Sequence, residues 1–328
     1  MKIGNLNGRG IEIRTFQPDP SLPLPNCSMG VEVEVENCSP RFREIIEDGI
    51  WTTVEERMLQ NNGREFVFSQ PLFGKDMVDA VQFLGNKIEE HREERMSYNF
   101  SHRTSVHVHI DVRDMEPGQL FSMMMYYIVF ERLMFNWLYH QSGVDRSESP
   151  FCIPYFNSPD DYIGLFNNLF YLQKYDDPDI QMELFNRFAR QGQRYSAVNF
   201  SSTYNLGTLE FRQMHGTSNP TEILTWVKMI QTLKLRGMEM PNPEPDEMIQ
   251  SISAHGPENF TRQFFGHELA EELLSVSDYR DIFQGIRRAQ DMVHYFLMKE
   301  LQNPLLRQVV STEEFLQGLS NQLKRGEK

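Results

Sequence analysis

Over the first two thirds of the chain, apolar and polar residues alternate in short runs; over the last third they recur at helical spacing. The first pattern predicts strands and the second helices. "GIEIRTF" (10–16) predicts a short strand, followed by a connector, 17–28, that carries four prolines. "MGVEVEVENC" (29–38), "GREFVFSQPL" (63–72) and "RTSVHVHIDV" (103–112) alternate and predict further strands. "RYSAVNFSSTYNLGTLEFRQMH" (194–215) predicts a hairpin turning near "YNLG". Between these, 75–95 places Met77, Val81, Leu84 and Ile88 on one helical face and ends in solvated charges. The run 119–140 is apolar all round, but Glu131 and Arg132 interrupt it, so a buried helix is expected and not a membrane span. Two helices are expected over 160–190, broken at "DDPD". Asn219 as cap and Pro220 at the first helical position open another. An acidic, proline-rich linker over 237–247 and a capping box from Ser311 to Glu314 follow. These elements imply an α+β fold with a strand-rich part, 1–217, and a helical part, 218–328.

At 328 residues with 40% hydrophobic composition, the chain can bury a large core. A net charge of -14 argues against a nucleic-acid surface, which needs a basic face. It leaves room for a local basic pocket that takes an anion such as ATP. Three cysteines, Cys27, Cys38 and Cys152, show no paired spacing, and the N-terminal stretch lacks the apolar core of a signal peptide. A reducing, cytoplasmic setting is expected.

Three of the expected strands carry unusual polar faces. Glu32, Glu34 and Glu36 alternate with Val31, Val33 and Val35, so the carboxylates share one side about 7 Å apart. They either hold a cation or are simply wet. His107, His109 and Asp111 oppose Val106, Val108 and Ile110; two imidazoles at this spacing reach one metal or one phosphate, or are two ordinary half-exposed histidines. Glu210 and Arg212 oppose Leu209 and Phe211, as an ordinary surface ion pair would. Antiparallel sheets often keep one face on the core and one open. If the three strands share a sheet, these faces converge in a shallow basin of carboxylates, imidazoles and one guanidinium. Crowded carboxylates repel, and Mg²⁺ with oxygen ligands relieves this. Mg²⁺ beside an arginine suits a nucleotide's phosphates.

At the same residues the sequence resembles the amidoligases, carboxylate–amine ligases that share a catalytic fold with glutamine synthetase and glutamate–cysteine ligase. "GVEVEVE", "GREFVFSQPL", "SVHVHID" and "RYSAVNFSSTYNLGTLEFRQMHGT" come in the family's order, between about Met29 and Thr217. The resemblance implies a curved antiparallel sheet of the glutamine synthetase catalytic type, flanked by helices, cradling ATP and two divalent metals, Mg²⁺ or Mn²⁺. It implies metal ligation by Glu32, Glu34, Glu65, His107 and Glu210. His109 would meet phosphate and Arg212 would clamp it, so that Arg212, His109 and Glu65 act at the reacting groups. Tyr195 and Asn199 would lie near nucleotide or substrate, and Arg146 near the substrate. Glu36 lies outside the family's Glu-x-Glu pair. Of the family's Asp-Gly-Ser element only Asp48 and Gly49 are present.

The implied reaction is ATP-dependent: a small-molecule or peptide carboxylate becomes an acyl phosphate, and an amine displaces phosphate to form an amide. Neither nucleic acid nor membrane is an expected partner. No Walker A loop or G-x-G-x-x-G occurs, which agrees with a sheet-based nucleotide site. Three other readings compete: a phosphotransferase on the same fold, a metal-dependent hydrolase, and a non-catalytic binding or assembly protein that kept the fold. The "MMM" at 123–125 is expected to fill core, and His215 is close enough in sequence to Arg212 to merit a test.

Overall fold

The computed structural model describes residues 1–302 apart from 7, 9–14, 48, 57, 91–97, 173, 176, 192–193 and 241–244. Most of the strand expected at 10–16, Asp48, the end of the helix expected at 75–95 and the capping box at Ser311 lie outside the described residues. Among the described residues there are six strands, β1 (Met29–Val35), β2 (Trp51–Val54), β3 (Arg64–Phe68), β4 (Ser105–Asp111), β5 (Val198–Asn199) and β6 (Thr208–His215). They form one open antiparallel sheet in the order β2-β3-β1-β4-β6-β5.

The helices are α1 (Ile3–Leu6), α2 (Pro40–Ile46), α3 (Gly74–Glu90), α4 (Pro117–Ser142), α5 (Pro159–Leu172), α6 (Pro178–Gln191), α7 (Ser202–Asn205), α8 (Pro220–Glu239), α9 (Pro245–His255), α10 (Pro257–Phe265), α11 (His267–Leu274) and α12 (Tyr279–Gln302). The protein is therefore a mixed α/β molecule. The expected linker at 237–247 is shorter than its proline content suggests, because Gly237 to Glu239 complete α8 and Pro245 starts α9. Proline at a first helical position begins a helix as readily as it interrupts one. The α8 start matches expectation: Asn219 Oδ1 accepts from the Thr221 N–H at 3.0 Å.

One sheet face is the hydrophobic core. Val31, Val33, Phe66, Val106, Val108, Leu209 and Phe211 are all fully buried there. α8 contacts β4, α4 contacts β6, and α4 is itself packed against α5, α8, α11 and α12. Phe130 of α4 stacks on Phe260 and also packs against Phe264, tilted, and Phe265, edge-on. A helix covered on all sides must be apolar all round, which explains its composition. No helix among the described residues is long and apolar enough to cross a membrane.

The second sheet face departs from expectation. It is not an open basin: Glu34, His107, His109, Glu210 and Arg212 are buried. Glu55, Glu56, Met58, Leu59, Phe151, Tyr195 and Leu206 line a cavity of about 580 Å³ over the sheet.

Candidate active site

Strand register decides which polar groups meet. Glu32 of β1 pairs with His107 of β4, Glu34 with Glu65 of β3, and His109 with Glu210 of β6. Two carboxylates directly opposite on neighbouring strands are unfavourable without a cation. The β4–β6 pairing slips by one residue between Val106 and Val108, so that Arg212 and Gln213 together face His107. This bulge keeps Arg212 over the cavity while Gln213 turns to the core, where it donates to the Tyr127 hydroxyl at 2.7 Å.

His107 sits among four carboxylates. Its Nδ1 lies 3.3 Å from Glu32, 3.5 Å from Glu210 and 3.7 Å from Glu65; its Nε2 lies 3.9 Å from Glu34. His109 Nε2 is 3.1 Å from Glu32, and its Nδ1 is 3.0 Å from the Thr208 hydroxyl. Glu34 accepts from the Ser105 N–H at 2.8 Å. Glu210 accepts from Arg212 and, at 2.7 Å, from the Asn199 amide. Two overlapping groups place ligand atoms within 4.8 Å of one another: Glu32, His107 and Glu210, and Glu34, Glu65 and His107.

The charge balance follows from this crowding. Burial and the Arg212 guanidinium pull His107 down, but Glu32, Glu65 and Glu34 outweigh them and push it up to about 10. Burial and the charge of Glu32 push Glu65 up to about 7, against the pull of His107. Burial works against ionising Glu32, yet His107 and His109 hold it well below the usual carboxylate range. Burial opposes Glu210 too, and His107, His109 and Arg212 keep it lowered. A protonated imidazole thus supplies the positive charge that the carboxylates need. Carboxylate oxygens with one imidazole are donors that suit Mg²⁺ or Mn²⁺.

Glu32, Glu34, Glu65, His107, His109, Glu210 and Arg212 therefore line one cavity. Tyr195 stands at its mouth, 41% exposed, edge-on to Phe151. Asn199 is not at the cavity wall; it holds Glu210 from behind. Arg146 is not at the wall either: it is buried behind β6 and donates to the Arg212 carbonyl. Glu36 turns to the Gln60 N–H at 2.9 Å, and His215 to Glu222 at 3.2 Å.

Ser105, Arg103, Thr208 and Gly30 belong to the site and escape the sequence reading. Ser105 extends the His107, His109 alternation by one step, so its position was legible. Gly30 continues the Glu32, Glu34 face and pairs with His109. A Cβ at Gly30 would stand 3.3 Å from His109 Cβ. The missing side chain helps open a second hollow of about 290 Å³ beside Glu32 and His109, walled by Phe68 and Leu206.

A family model described as "putative amidoligase enzyme" matches residues 65–234, just over half of the chain. The match runs from β3 to α8 and contains Glu65, His107, His109, Glu210 and Arg212. No curated protein matches the chain. With its matched half carrying most of the cavity's charged groups, the chain belongs to the amidoligase family.

Proposed function

We propose that the protein is an ATP-dependent carboxylate–amine ligase that forms an amide through an acyl phosphate, on a sheet of the glutamine synthetase catalytic type. The observation that carries this is the pair of overlapping ligand groups sharing His107, with Arg212 beside them. Glu32, Glu34, Glu65 and Glu210 would hold the divalent ions, and His107, on giving up its proton, would offer its one free ring nitrogen to one of them. Bound Mg²⁺ or Mn²⁺ would neutralise phosphate oxygens and polarise the transferring phosphoryl group.

The chain's own residues supply the rest. The buried Arg212 gives one nitrogen to Glu210 and lines the cavity, so its guanidinium is placed to meet charge that develops on the phosphoryl group. His109, tethered to Thr208, is placed to donate to a phosphate oxygen. Asn199 keeps Glu210 in position. The hollow beside Gly30, with Phe68 and Leu206 as walls, is suited to the nucleoside. Burial of the cavity floor excludes water, which protects an acyl phosphate from hydrolysis. No covalent nucleophile is required.

The test is mass spectrometry of acid and amine mixtures incubated with the protein, ATP and Mg²⁺. Ligation yields a product of the summed mass less one water, together with ADP and phosphate. Hydroxylamine as the amine should trap the acyl phosphate as a hydroxamate. ADP formation with a stable phosphorylated product and no amide would instead indicate a phosphotransferase.

A further inference from the structure

The β6 bulge sets Arg212 and Gln213 together opposite His107, with Arg212 at the cavity and Gln213 fully buried on the core side. A bulge re-aims the side chain it carries and interrupts the ladder that would otherwise fix it. The position of Arg212 must then be set by something besides the β4–β6 ladder. Tyr127 of α4 lies under this point. Its ring meets that of Phe211 edge-on, 5.8 Å between centroids, and its hydroxyl accepts from the Gln213 amide at 2.7 Å. Tyr127 therefore grips the residues on both sides of Arg212 from the core.

The tyrosine is itself anchored. Its hydroxyl has one proton, which it donates to Glu131 at 2.7 Å, so it takes the Gln213 amide as a donor. Glu131 also accepts from the Tyr155 and Phe156 N–H groups. That segment leads back to Arg212 by a second route. The Ala197 N–H donates to the Ile153 carbonyl at 2.8 Å, and the Arg212 N–H donates to the Ala197 carbonyl at 2.9 Å. Arg212 is thus framed by a side-chain route through Tyr127 and Gln213 and a backbone route through 153 and 197, and both start at Glu131.

The side-chain route is costly. Gln213 puts an amide into the hydrophobic core, and its Oε1 is buried without a partner. An apolar side chain of the same length would fill that place without the penalty. Packing alone therefore does not account for Gln213; its bond to Tyr127 at the bulge does. Resting on the ligase reading of this site, we propose that Tyr127 and Gln213 are positioning residues for Arg212. They hold the bulge so that the guanidinium meets the transferring phosphoryl group, and neither touches the substrate.

The experiment titrates the full chain with Mg·ADP, with and without aluminium fluoride, and reads affinity from the melting midpoint. Aluminium fluoride stands in for the phosphoryl group in flight, so the tightening it adds measures the grip on that group. Tyr127→Phe and Gln213→Met keep the core volume. Each should reduce the tightening by about tenfold and leave the affinity for Mg·ADP alone unchanged. The two changes together should lose no more than either one, because they break the same route. On an Arg212→Lys background neither should cause a further loss. A purely structural role would lower the midpoint of the unliganded protein and keep the parent's tightening, which overturns the proposal. So would losses that add in full to that of Arg212→Lys, or failure of both variants to fold. A parent that binds Mg·ADP but gains nothing from aluminium fluoride would refute the positioning role while nucleotide binding stands. If Mg·ADP gives the parent no shift at all, the ligase reading fails, and the positioning role with it.

Discussion

Two buried carboxylate sites in this molecule behave in opposite ways. Glu131, in the middle of α4, accepts from the Tyr127 hydroxyl at 2.7 Å, the Tyr155 N–H at 2.8 Å and the Phe156 N–H at 3.0 Å. Its neighbours are donors placed for it, and it ties α4 to the segment that follows Cys152. Glu34 and Glu65, on the sheet, face each other across two strands with like charge, while Arg212 and Arg103 nearby keep unpaired nitrogens. The first site is fully hydrogen-bonded; the second holds its crowded carboxylates around His107 and is the site proposed to take a metal. A buried acid that organises donors stabilises a fold, whereas buried acids that crowd one another indicate a ligand.

Removing the satisfied acid should have the largest effect. Glu131→Ala leaves the Tyr127 hydroxyl and two backbone N–H groups buried without an acceptor, each costing about 1–3 kcal/mol. We expect a loss of about 4 kcal/mol in denaturant unfolding. A loss below about 1 kcal/mol would mean that the network reorganises freely and that the contrast between the two sites is false.

A pH titration sharpens the same contrast. Burial pushes Glu131 up to about 7, although its three donors pull the other way. The folded state thus holds a proton that the unfolded state releases near the ordinary glutamate value. The corresponding stabilisation is present in full below that value and is lost as pH rises through about 7. Parent stability should fall between pH 5 and pH 8 by roughly 2–3 kcal/mol more than that of Glu131→Gln. Parallel curves for the two proteins would contradict the burial effect.

On the sheet, Arg212→Lys keeps the charge and loses the fork. Turnover should fall by about 10²-fold with little change in ATP affinity. Unchanged turnover would reduce Arg212 to a partner for Glu210.

Much of this contrast was legible before the fold was known, and the reasons are local. Alternation of Glu32 and Glu34 with valines, and of His107 and His109 with Val106 and Val108, set both strands and their functional faces. Asn219 and Pro220 marked the start of α8 through capping chemistry. β2 and α2 were missed, although "WTTV" is rich in strand formers and Ser39-Pro40 opens a helix with a cap accepting from the Phe42 N–H. Both are short, and their burial depends on α3, which neither segment reveals: Trp51 donates its indole N–H to the Ala80 carbonyl. The bulge at Arg212 and Gln213 was also invisible. Strict alternation gives the correct face for Arg212 and says nothing of the extra residue opposite His107. Above all, the residues that stand over the polar face, among them Glu55, Glu56, Met58, Leu59, Phe151 and Leu206, lie in connecting segments whose path the alternation of the strands does not give. Burial of that face was therefore a property of tertiary packing alone. Arg146 illustrates the same limit, since its role depends on two carbonyls, His102 and Arg212, brought together only in the fold.

The smallest effect is the most telling. Glu34→Gln removes one of two opposed charges and keeps the shape. The protein without ligand should change by less than about 1 kcal/mol, or become slightly more stable, as expected where function costs stability.

The measurement that bears most directly on the proposed metal-dependent nucleotide site is the melting-midpoint shift produced by Mg·ATP in the parent and in Glu34→Gln. A ligand stabilises only as far as it binds the folded state, and a tenfold loss of affinity removes about 1.4 kcal/mol of that stabilisation. We predict a clear shift in the parent, abolished by EDTA and mostly lost in Glu34→Gln. An equal shift in the two proteins, or one that survives EDTA, would contradict metal ligation by Glu34 and the nucleotide site built upon it.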